Sequence, residues 1–513
     1  MRKLILIMTI LALILCCGCS QIAPPETTAP TQTGAVGEQE HTDANDDGVC
    51  DGCRESVLTT FDVYSVNDLH GKLADGDNHP GVDEMTTYLK LMTEGDDNAI
   101  FIAAGDMWQG ASESNLTGGL IITEWMNELG FAAMTLGNHD FDWGEAPIEE
   151  NAEIAEFPFL AINIYDRETK EQVEYCQSSV VVEASGVQVG IIGAIGDCYS
   201  SIASDKVEDV YFVTGTQLTE LVKAESQRLQ DEGVDFIVYS IHDGYGDSFS
   251  YDAVDVTDAA LRSYYDTSLS DGYVDVVFEA HTHQMYLLQD SCGVYHMQNR
   301  GDNKGGLSHV EVTINTVTGT YVVTQVGLIP AFRYQNLGAD PLVKELMDKY
   351  ADVVAEGLQV LGNNSVPRNS NFLCQKVADL YYELGIDTWG DEYDVILGGG
   401  FISARSPYNL GKGEVTYGDL QSLFPFDNDI VLCSVKGKTL LSRFINNDDR
   451  RYSVSYDADL SEDDIDPNGT YYIVVDSYTA DYAPNGLTVV EEYEQGVYAR
   501  DLLAEFVKNG GFD

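Results

Sequence analysis

The sequence predicts an α/β fold with two domains, and two observations lead to this prediction. The chain has 513 residues, more than one hydrophobic core usually supports, and 44% of them are hydrophobic, which is enough for two cores. From Phe61 to about Ile329, apolar segments rich in Val, Ile, Ala and Phe alternate with segments of helical character. Continuous apolar runs are typical of strands covered on both faces, so we expect a layered α/β domain here and a smaller α/β domain after it.

Polar clusters follow five of the six apolar segments that we expect to be strands of the first domain. Ligands gather beyond the carboxyl ends of strands in such sheets, so the clusters are expected to share one site. The expected strands are Phe61–Val66, Ala99–Ala104, Phe131–Leu136, Val187–Ile195, Val234–Ile241 and Tyr273–Ala280. The clusters are Asn67-Asp68-Leu69-His70-Gly71, Gly105-Asp106, Gly137-Asn138-His139-Asp140-Phe141-Asp142, Ile241-His242-Asp243-Gly244 and His281-Thr282-His283.

The residue types in these clusters indicate a site for two metal ions. Divalent ions bind oxygen and imidazole ligands, and a pair of ions needs a carboxylate to bridge them, a role that suits Asp106. Residues two apart on an extended backbone project to the same side, so Asp68 pairs with His70, and His281 pairs with His283. The seven expected ligands are Asp68, His70, Asp106, Asn138, His242, His281 and His283.

Two further residues of the third cluster suit acid–base chemistry. His139 is adjacent to Asn138, where its imidazole could protonate or hydrogen-bond a departing oxygen. Asp142, three residues further on, could orient that imidazole and keep it charged. Because seven ligands leave coordination positions open, the expected site is catalytic rather than purely structural.

The motifs NDLHG, GDMWQG, GNHDFDWG, IHDG and HTH resemble the calcineurin-like metallophosphoesterase domain of the secreted 5′-nucleotidase/UDP-sugar hydrolase family. The similarity in order and spacing covers nearly all of residues 60–510. It implies a layered α/β/β/α sandwich and two divalent cations, zinc, manganese or similar. By this resemblance Asp68, His70 and His283 bind one ion, Asn138, His242 and His281 bind the other, Asp106 bridges them, and His139 and Asp142 are the catalytic dyad.

A helix is expected to join the two domains. Asp340 can cap its first turn, Pro341 suits the first helical position, and apolar residues at helical spacing continue to Val354. We place the first domain at residues 58–335, the interdomain helix at 336–365 and the second domain at 366–513.

The second domain contains motifs that resemble the substrate-recognition domain of the same family: GGGF from Gly398, GEVTYGD from Gly413 and FPFDN from Phe424. The resemblance implies that Phe426 and Tyr478 clamp a nucleobase, although core packing explains either ring alone equally well. The arginine that usually follows the glycine run is absent. Arg405, slightly later, is either its replacement as a phosphate ligand or a surface residue.

The N-terminus predicts export. Residues 1–19 combine a basic start with an apolar stretch that is too short to span a membrane comfortably, as in a signal peptide. The stretch ends in CCGCS, which resembles a bacterial lipoprotein processing site. It predicts a lipid on Cys19 and a location at the cell surface, with plain secretion as the alternative.

The composition of residues 20–57 predicts a disordered tether. Acidic residues alternate from Asp43 to Asp51 as in a calcium loop, and Cys50 and Cys53 form a CxxC pair. This part is either a small knob closed by calcium or a disulfide, or an acidic linker. Five scattered cysteines later in the chain are expected to be buried hydrophobes, and His41, His79, His296 and His309 to be surface or structural residues.

The charge limits the partners. With 27 basic and 85 acidic residues the formal net charge is −58, which excludes nonspecific binding to nucleic-acid polymers or anionic lipid, so membrane contact is expected only through a lipid anchor. A phosphate group must therefore be met by local cations. The expected substrate is a nucleotide, and the expected activity is hydrolysis of nucleoside phosphates to nucleoside and phosphate by an extracellular 5′-nucleotidase.

Three alternatives stay open from the sequence. Relatives with the same ligands include 2′,3′-cyclic nucleotide 2′-phosphodiesterases with 3′-nucleotidase activity, and UDP-sugar hydrolases. From another class, a non-catalytic surface-binding lipoprotein would also suit the acidic coat. The base preference, the native metal and the oligomeric state are left undetermined.

Overall fold

The computed structural model describes residues 41–74, 81–94, 98–245, 267–301, 305–405, 409–446, 452–482 and 485–512. The predicted signal peptide with Cys19, the tether up to residue 40 and His79 lie outside these residues. Among the residues described, no helix has both the length and the apolar character that a membrane crossing requires.

Two six-stranded sheets form the first domain. The first has the order β14-β13-β1-β2-β3-β4 and the second the order β11-β12-β10-β9-β7-β6, with β5 and β8 forming a separate pair. The strands are β1 Leu58–Val66, β2 Ala99–Ala103, β3 Ala133–Thr135, β4 Phe159–Leu160, β5 Ile164–Asp166, β6 Ser179–Ala184, β7 Val187–Ile195, β8 Val210–Phe212, β9 Phe236–His242, β10 Val276–Glu279, β11 Tyr286–Gln289, β12 Tyr295–Gln298, β13 Gly306–Asn315 and β14 Tyr321–Pro330.

The α-helices of the described residues cover the outer faces of these sheets and continue into the second domain. In chain order they are α1 Asp83–Met92, α2 Ser112–Leu116, α3 Leu120–Leu129, α4 Ala146–Ile154, α5 Gly215–Asp231, α6 Pro341–Lys349, α7 Ala351–Val354, α8 Ser370–Trp389, α9 Tyr417–Leu423, α10 Gly437–Thr439, α11 Ser477–Asp481 and α12 Ala499–Lys508.

The hydrophobic core of the first domain lies in layers. Between the sheets, residues such as Phe61, Phe236 and Phe278 are completely buried. A second layer joins the other face of the first sheet to helices α1 and α3, and a third joins the second sheet to α5 through Val222 and Leu229. This arrangement confirms the predicted α/β/β/α sandwich, in which burial on both faces explains the continuous apolar strands.

Parallel pairing explains why the polar clusters meet. Strand β2 lies parallel between β1 and β3, and β9 is parallel to β10 in the other sheet. Carboxyl ends of parallel strands lie at the same edge of a sheet, so the loops after these five strands converge at one edge of the sandwich.

A five-stranded sheet of order β19-β16-β20-β18-β21 forms the second domain, and β15 pairs with β17. Helix α8 packs on this sheet, with Val377 and Tyr381 in the core. The strands are β15 Val360–Asn364, β16 Val395–Gly400, β17 Gly413–Thr416, β18 Ile430–Lys436, β19 Ser453–Tyr456, β20 Thr470–Asp476 and β21 Thr488–Glu492.

The connection between the domains differs from the long helix predicted over residues 336–365. The Asp340 side chain caps α6 as expected, accepting a hydrogen bond from the Leu342 N–H at 2.9 Å. The helix ends at Lys349, however, and only the short α7 follows. Strand β15 lies within the predicted helical range and belongs to the second domain, because its backbone pairs with β17.

The remaining histidines and cysteines have largely structural surroundings. His309 stacks on Tyr64 with ring centroids 4.4 Å apart, and His296 is completely buried. Four of the five scattered cysteines are buried as expected, whereas Cys292 is exposed. The prediction for Cys292 was therefore wrong, because it lies in a turn between β11 and β12 rather than in a strand or a helix.

His296 contributes a buried ion pair to the second sheet. Its Nδ1 lies 3.0 Å from Glu279 and its Nε2 lies 3.2 Å from Asp290. Burial alone would lower the pKa of His296, but its hydrogen bonds to Asp290 and Glu279 outweigh this and raise the pKa to about 9. The imidazolium form is therefore the one that stabilises the fold.

We predict that this pair makes stability fall with rising pH. A pKa raised from 6.5 to about 9 gives stability that is complete below pH 6.5 and is lost as the pH rises through about 9. The loss is on the order of 3 kcal/mol. Thermal unfolding followed by circular dichroism should show a smaller alkaline decrease of Tm for His296→Gln than for the unmodified protein. Parallel Tm profiles of the two proteins would contradict this assignment.

Candidate metal centre

Asp106 lies at the centre of the converged loops and is 1% exposed. Its Oδ1 accepts a hydrogen bond from the His139 N–H at 2.8 Å. Its Oδ2 lies 3.2 Å from His242 Nε2 and 3.9 Å from His70 Nε2. One carboxylate thus faces ligand candidates on both sides, as a bridging ligand must.

The first group of candidates is Asp68, His70 and His283, whose ligand atoms lie within 4.8 Å of one another. His283 Nε2 is 3.3 Å from Asp68 Oδ1 and 3.2 Å from His70 Nε2. The Asp68 carboxylate accepts hydrogen bonds from the Asn67 side chain and the His281 N–H, which fix its direction. This spacing allows all three side chains to reach a single cation.

The second group contains His242, His281 and Asn138. Ligand atoms of His242 and His281 also lie within 4.8 Å of each other, and Asn138 lines the same cavity as His281 and His283. Asn138 Oδ1 is buried and has no hydrogen-bond partner among the described residues, while the buried His242 Nε2 faces Asp106 Oδ2 at 3.2 Å. Buried polar atoms are normally paired, so an unpaired amide oxygen among these candidates fits a cation.

Hydrogen bonds select the imidazole nitrogen that faces the centre. His242 Nδ1 is 2.7 Å from the Ala104 carbonyl, and His70 Nδ1 is 2.9 Å from the Gln109 carbonyl. In the tautomer whose Nδ1–H donates to the carbonyl, Nε2 is the nitrogen that can bind a metal ion.

The pKa shifts favour neutral imidazoles at two positions. Burial, with a contribution from Arg405, lowers the pKa of His70 well below its usual value, and burial lowers that of His281 to about 4. His242 is different: although burial opposes it, the Asp106 carboxylate raises the His242 pKa to about 10. Binding of a cation to His242 therefore requires release of a proton.

Five of the candidate ligands have a left-handed backbone, which corrects the expectation of extended ligand pairs. Side chains two residues apart converge here because both residues have a positive φ angle. Each such backbone conformation costs about 1–3 kcal/mol. The φ angles are 50° at Asp68, 53° at His70, 55° at Asp106, 71° at His281 and 53° at His283.

Asp140 is a functional position that the sequence analysis missed. It is completely buried and accepts N–H groups from Gly137, Asp106, Met107 and Trp108 at 2.8–3.3 Å. Burial and the nearby Asp106 raise its pKa to about 7, while the N–H groups favour its anion. Asp140 thus ties the Asp106 loop to the Asn138 loop. The sequence feature that could have indicated this role of Asp140 was its position inside the motif GNHDFDWG.

The predicted dyad is formed at the edge of a cavity of about 380 Å³. His139 Nδ1 lies 2.7 Å from Asp142 Oδ2, so the carboxylate orients the ring. The short 3₁₀ helix Asn138–Phe141 brings both residues next to Asn138. The cavity is lined by residues of both domains, including His281, His283, Arg405, Phe426 and Tyr478.

Arg405 lies in this cavity rather than on the outer surface. Its guanidinium is hydrogen-bonded to the Gln109 side chain, its Nη2 lies 2.9 Å from His70 Nδ1, and it is 5.8 Å from the centre of the Phe426 ring. The second domain thereby places a cation beside the candidate metal ligands.

Two aromatic pairs surround the same cavity. The Phe426 ring centroid is 5.8 Å from that of His139, and the Tyr478 centroid is 5.9 Å from that of Phe401. Phe401, at 39% exposure, stands directly after the glycine run and was not predicted to line the site. Ring faces next to the dyad suit a flat ligand.

The layered sandwich and its edge cluster of carboxylates and imidazoles are those of the metallophosphoesterase class. Residues 62–285 match the calcineurin-like phosphoesterase family, so the first domain is a calcineurin-like phosphoesterase domain.

Similar proteins extend this comparison beyond the domain. An apyrase of Tabanus yao is 24% identical over 89% of this chain and 92% of its own length. A probable 5′-nucleotidase of Treponema pallidum is 30% identical, over 29% of this chain and 24% of its own. The structure of a 5′-nucleotidase precursor from Thermus thermophilus has a TM-score of 0.68 at 20% identity, covering 88% of this chain and 96% of that one. The two-domain fold is therefore shared.

We predict that Asp140→Asn lowers metal content without Asp140 being a ligand. The amide can accept on one side only, so its NH₂ group faces buried N–H donors, and each lost hydrogen bond costs about 1–3 kcal/mol. Metal analysis after dialysis should show loss of bound metal together with a lower Tm. Asp142→Asn, the same change two residues further on, is the control and should retain the metal. Normal metal content in Asp140→Asn would contradict the role.

Proposed function

We propose that this chain is an exported metal-dependent nucleotidase that hydrolyses nucleoside phosphates, in particular 5′-nucleotides, to nucleoside and phosphate. The observation that carries the proposal is the buried Asp106 carboxylate between two groups of candidate ligands, some of which line a cavity together with Arg405 and aromatic rings. The names of the relatives agree with it, since they include apyrase and 5′-nucleotidase. A lipid on Cys19 would hold the enzyme at the cell surface.

The proposed ligand set is the one expected from the sequence. When bound, two divalent cations, zinc, manganese or similar, would acidify a water molecule and neutralise charge that develops on the phosphoryl oxygens. Asp68, His70 and His283 would hold one cation, Asn138, His242 and His281 the other, and Asp106 both. The left-handed loops keep these side chains in place before the cations bind.

His139 is the proposed proton donor to the departing oxygen. It is partly exposed to the cavity, whereas its Nδ1 is held by Asp142, so its Nε2 remains for the substrate. The Asp142 carboxylate, 2.7 Å from Nδ1, prevents the ring from turning. The dyad thereby provides general acid catalysis without binding a cation itself.

Arg405, Phe426 and Tyr478 are the proposed substrate-binding residues. The Arg405 guanidinium can contact phosphate oxygens through two parallel hydrogen bonds, and it lies between the His70 side of the centre and the Phe426 ring. Phe426 and Tyr478 can stack on a nucleobase. Within a protein of net charge −58, this focused cation and the bound metals attract the phosphate locally.

The related activities remain second candidates because the same ligands serve them. They are hydrolysis of 2′,3′-cyclic nucleotides with 3′-nucleotidase activity, and hydrolysis of UDP-sugars. A non-catalytic binding role is disfavoured, since Asn138, His281 and His283 line the same cavity as the dyad.

Phosphate release and chromatographic analysis of the products from a substrate panel test the proposal, because opening of a 2′,3′-cyclic phosphate and cleavage of UDP-glucose by themselves release no inorganic phosphate. The panel contains AMP, ADP, ATP, cyclic 2′,3′-AMP, UDP-glucose and single-stranded DNA, with zinc, manganese or magnesium added back after EDTA. We expect 5′-nucleotides to be hydrolysed, EDTA to abolish the activity, and DNA to be left intact. The absence of EDTA-sensitive phosphate release from every nucleotide would reject the proposed function. A preference for cyclic 2′,3′-AMP or for UDP-glucose would instead select one of the second candidates.

We predict that two variants separate chemistry from metal binding. His139→Ala should lower kcat by roughly 10²- to 10⁴-fold and keep its metal, because His139 is not a ligand. Asp106→Asn should lose metal affinity, because an amide is a poor bridge between two cations. Metal content and steady-state kinetics of both proteins give the comparison. Equal loss of metal in the two variants would show that His139 has been misassigned.

A further inference from the structure

A second cluster of metal-binding side chains lies in the N-terminal loop, residues 41–57, which we term the cysteine loop. Ligand atoms of His41, Cys50 and Cys53 lie within 4.8 Å of one another. Cys53 Sγ is 3.5 Å from His41 Nδ1, and both cysteines are free thiols. We propose that this cluster binds one zinc ion, separate from the two cations of the candidate metal centre.

The backbone of the cysteine loop holds the three residues together. The Asp51 N–H donates to the Thr42 carbonyl at 2.7 Å, which brings His41 next to the CxxC turn. The Arg54 N–H donates to the Cys50 carbonyl at 2.9 Å, and the Cys50 N–H to the Glu55 carbonyl at 2.8 Å. A short antiparallel bridge closes the loop before β1 begins. The convergence therefore does not depend on the ligand side chains alone.

The chemistry of the cluster favours zinc over calcium. Two thiolates and one imidazole are soft or borderline donors, which suit tetrahedral zinc, whereas calcium requires oxygen ligands. The Cys53 N–H donates to Cys50 Sγ at 3.5 Å. Cys50 is 2% exposed, so its thiolate is shielded from bulk water. The Glu55 carboxylate, 3.7 Å from Cys53 Sγ, can approach a fourth coordination position.

The acidic residues predicted to bind calcium serve other purposes. Asp43 accepts the N–H groups of Asp47 and Gly48, and Asp46 accepts hydrogen bonds from Asn315, Thr318 and Thr320 at 2.7–2.8 Å. Among the described residues of this loop no three carboxylates converge. Among the alternatives that the sequence left open, these contacts do not support a calcium knob, because the residues form a loop that docks on the β13–β14 hairpin through Asp46.

The position of the cluster keeps it apart from the nucleotidase site. The cysteine loop immediately precedes β1, whereas Asp68 follows the other end of that strand. Nine residues at ~3.3 Å each put roughly 30 Å between the two ends. Zinc in the cysteine loop would fix the segment that leaves the tether to the first domain, and would take no part in hydrolysis.

Zinc content of the full-length protein tests this inference. After loading with zinc and dialysis, Cys50→Ser/Cys53→Ser and His41→Ala should each bind one zinc per chain less than the unmodified protein, with unchanged phosphate release. Cys292→Ser, which removes an exposed thiol elsewhere, is the matched control and should lose no zinc. Equal zinc content in all four proteins would overturn the proposal.

Cobalt substitution and thiol titration identify the ligands directly. Cobalt bound by thiolates absorbs in the near ultraviolet, and this band should vanish in Cys50→Ser/Cys53→Ser but persist in Cys292→Ser and in Cys198→Ser, which alters the thiol near His242. Titration of the denatured protein should find Cys50 and Cys53 reduced. A disulfide between them, or calcium in place of zinc in the loop, would overturn the proposal.

Discussion

The site depends on loops that are held in left-handed backbone conformations at the ends of parallel strands. Asp68, His70, Asp106, His281 and His283 all have positive φ, although none is glycine. At about 1–3 kcal/mol each, this strain persists only where the surrounding structure over-determines it. The sandwich does so in two ways: paired strands fix the start of each loop, and hydrogen bonds fix its tip.

Asp140 shows how the tips are fixed. Its carboxylate gathers N–H groups from the loop that carries Asp106 and from the loop that carries Asn138. Glycines allow these loops to approach the candidate ligands closely. A Cβ at Gly105 would lie 2.4 Å from His242 Nδ1, and a Cβ at Gly137 would lie 2.3 Å from Asp106 Oδ1. The result is a cluster of candidate ligands whose positions are fixed by hydrogen bonds and close packing of the protein.

The two domains contribute different physical properties to one cavity. The first domain supplies oxygen and imidazole ligands from a rigid edge of two sheets. The second supplies a cation and flat apolar surfaces through Arg405, Phe426 and Tyr478. Close packing between α9 and α2 holds the domains together, since a Cβ at Gly418 would lie 2.8 Å from Ser112 Oγ. In the proposed function, substrate selection can thus vary in one domain while the candidate metal centre is kept in the other.

The sequence by itself determined the layered fold, the strands and the candidate ligands, because burial on both faces leaves continuous apolar runs and metal ligation requires particular side chains after them. It did not determine the backbone conformation that presents Asp68 and His70, the end of the interdomain helix at Lys349, or the contacts of Asp140 and Arg405. These depend on contacts between residues far apart in the chain: Asp140 joins two loops, Arg405 crosses from the other domain, and β15 is a strand only because β17 lies beside it. Local patterns record which side chains are present, whereas only the packed structure decides which atoms they face.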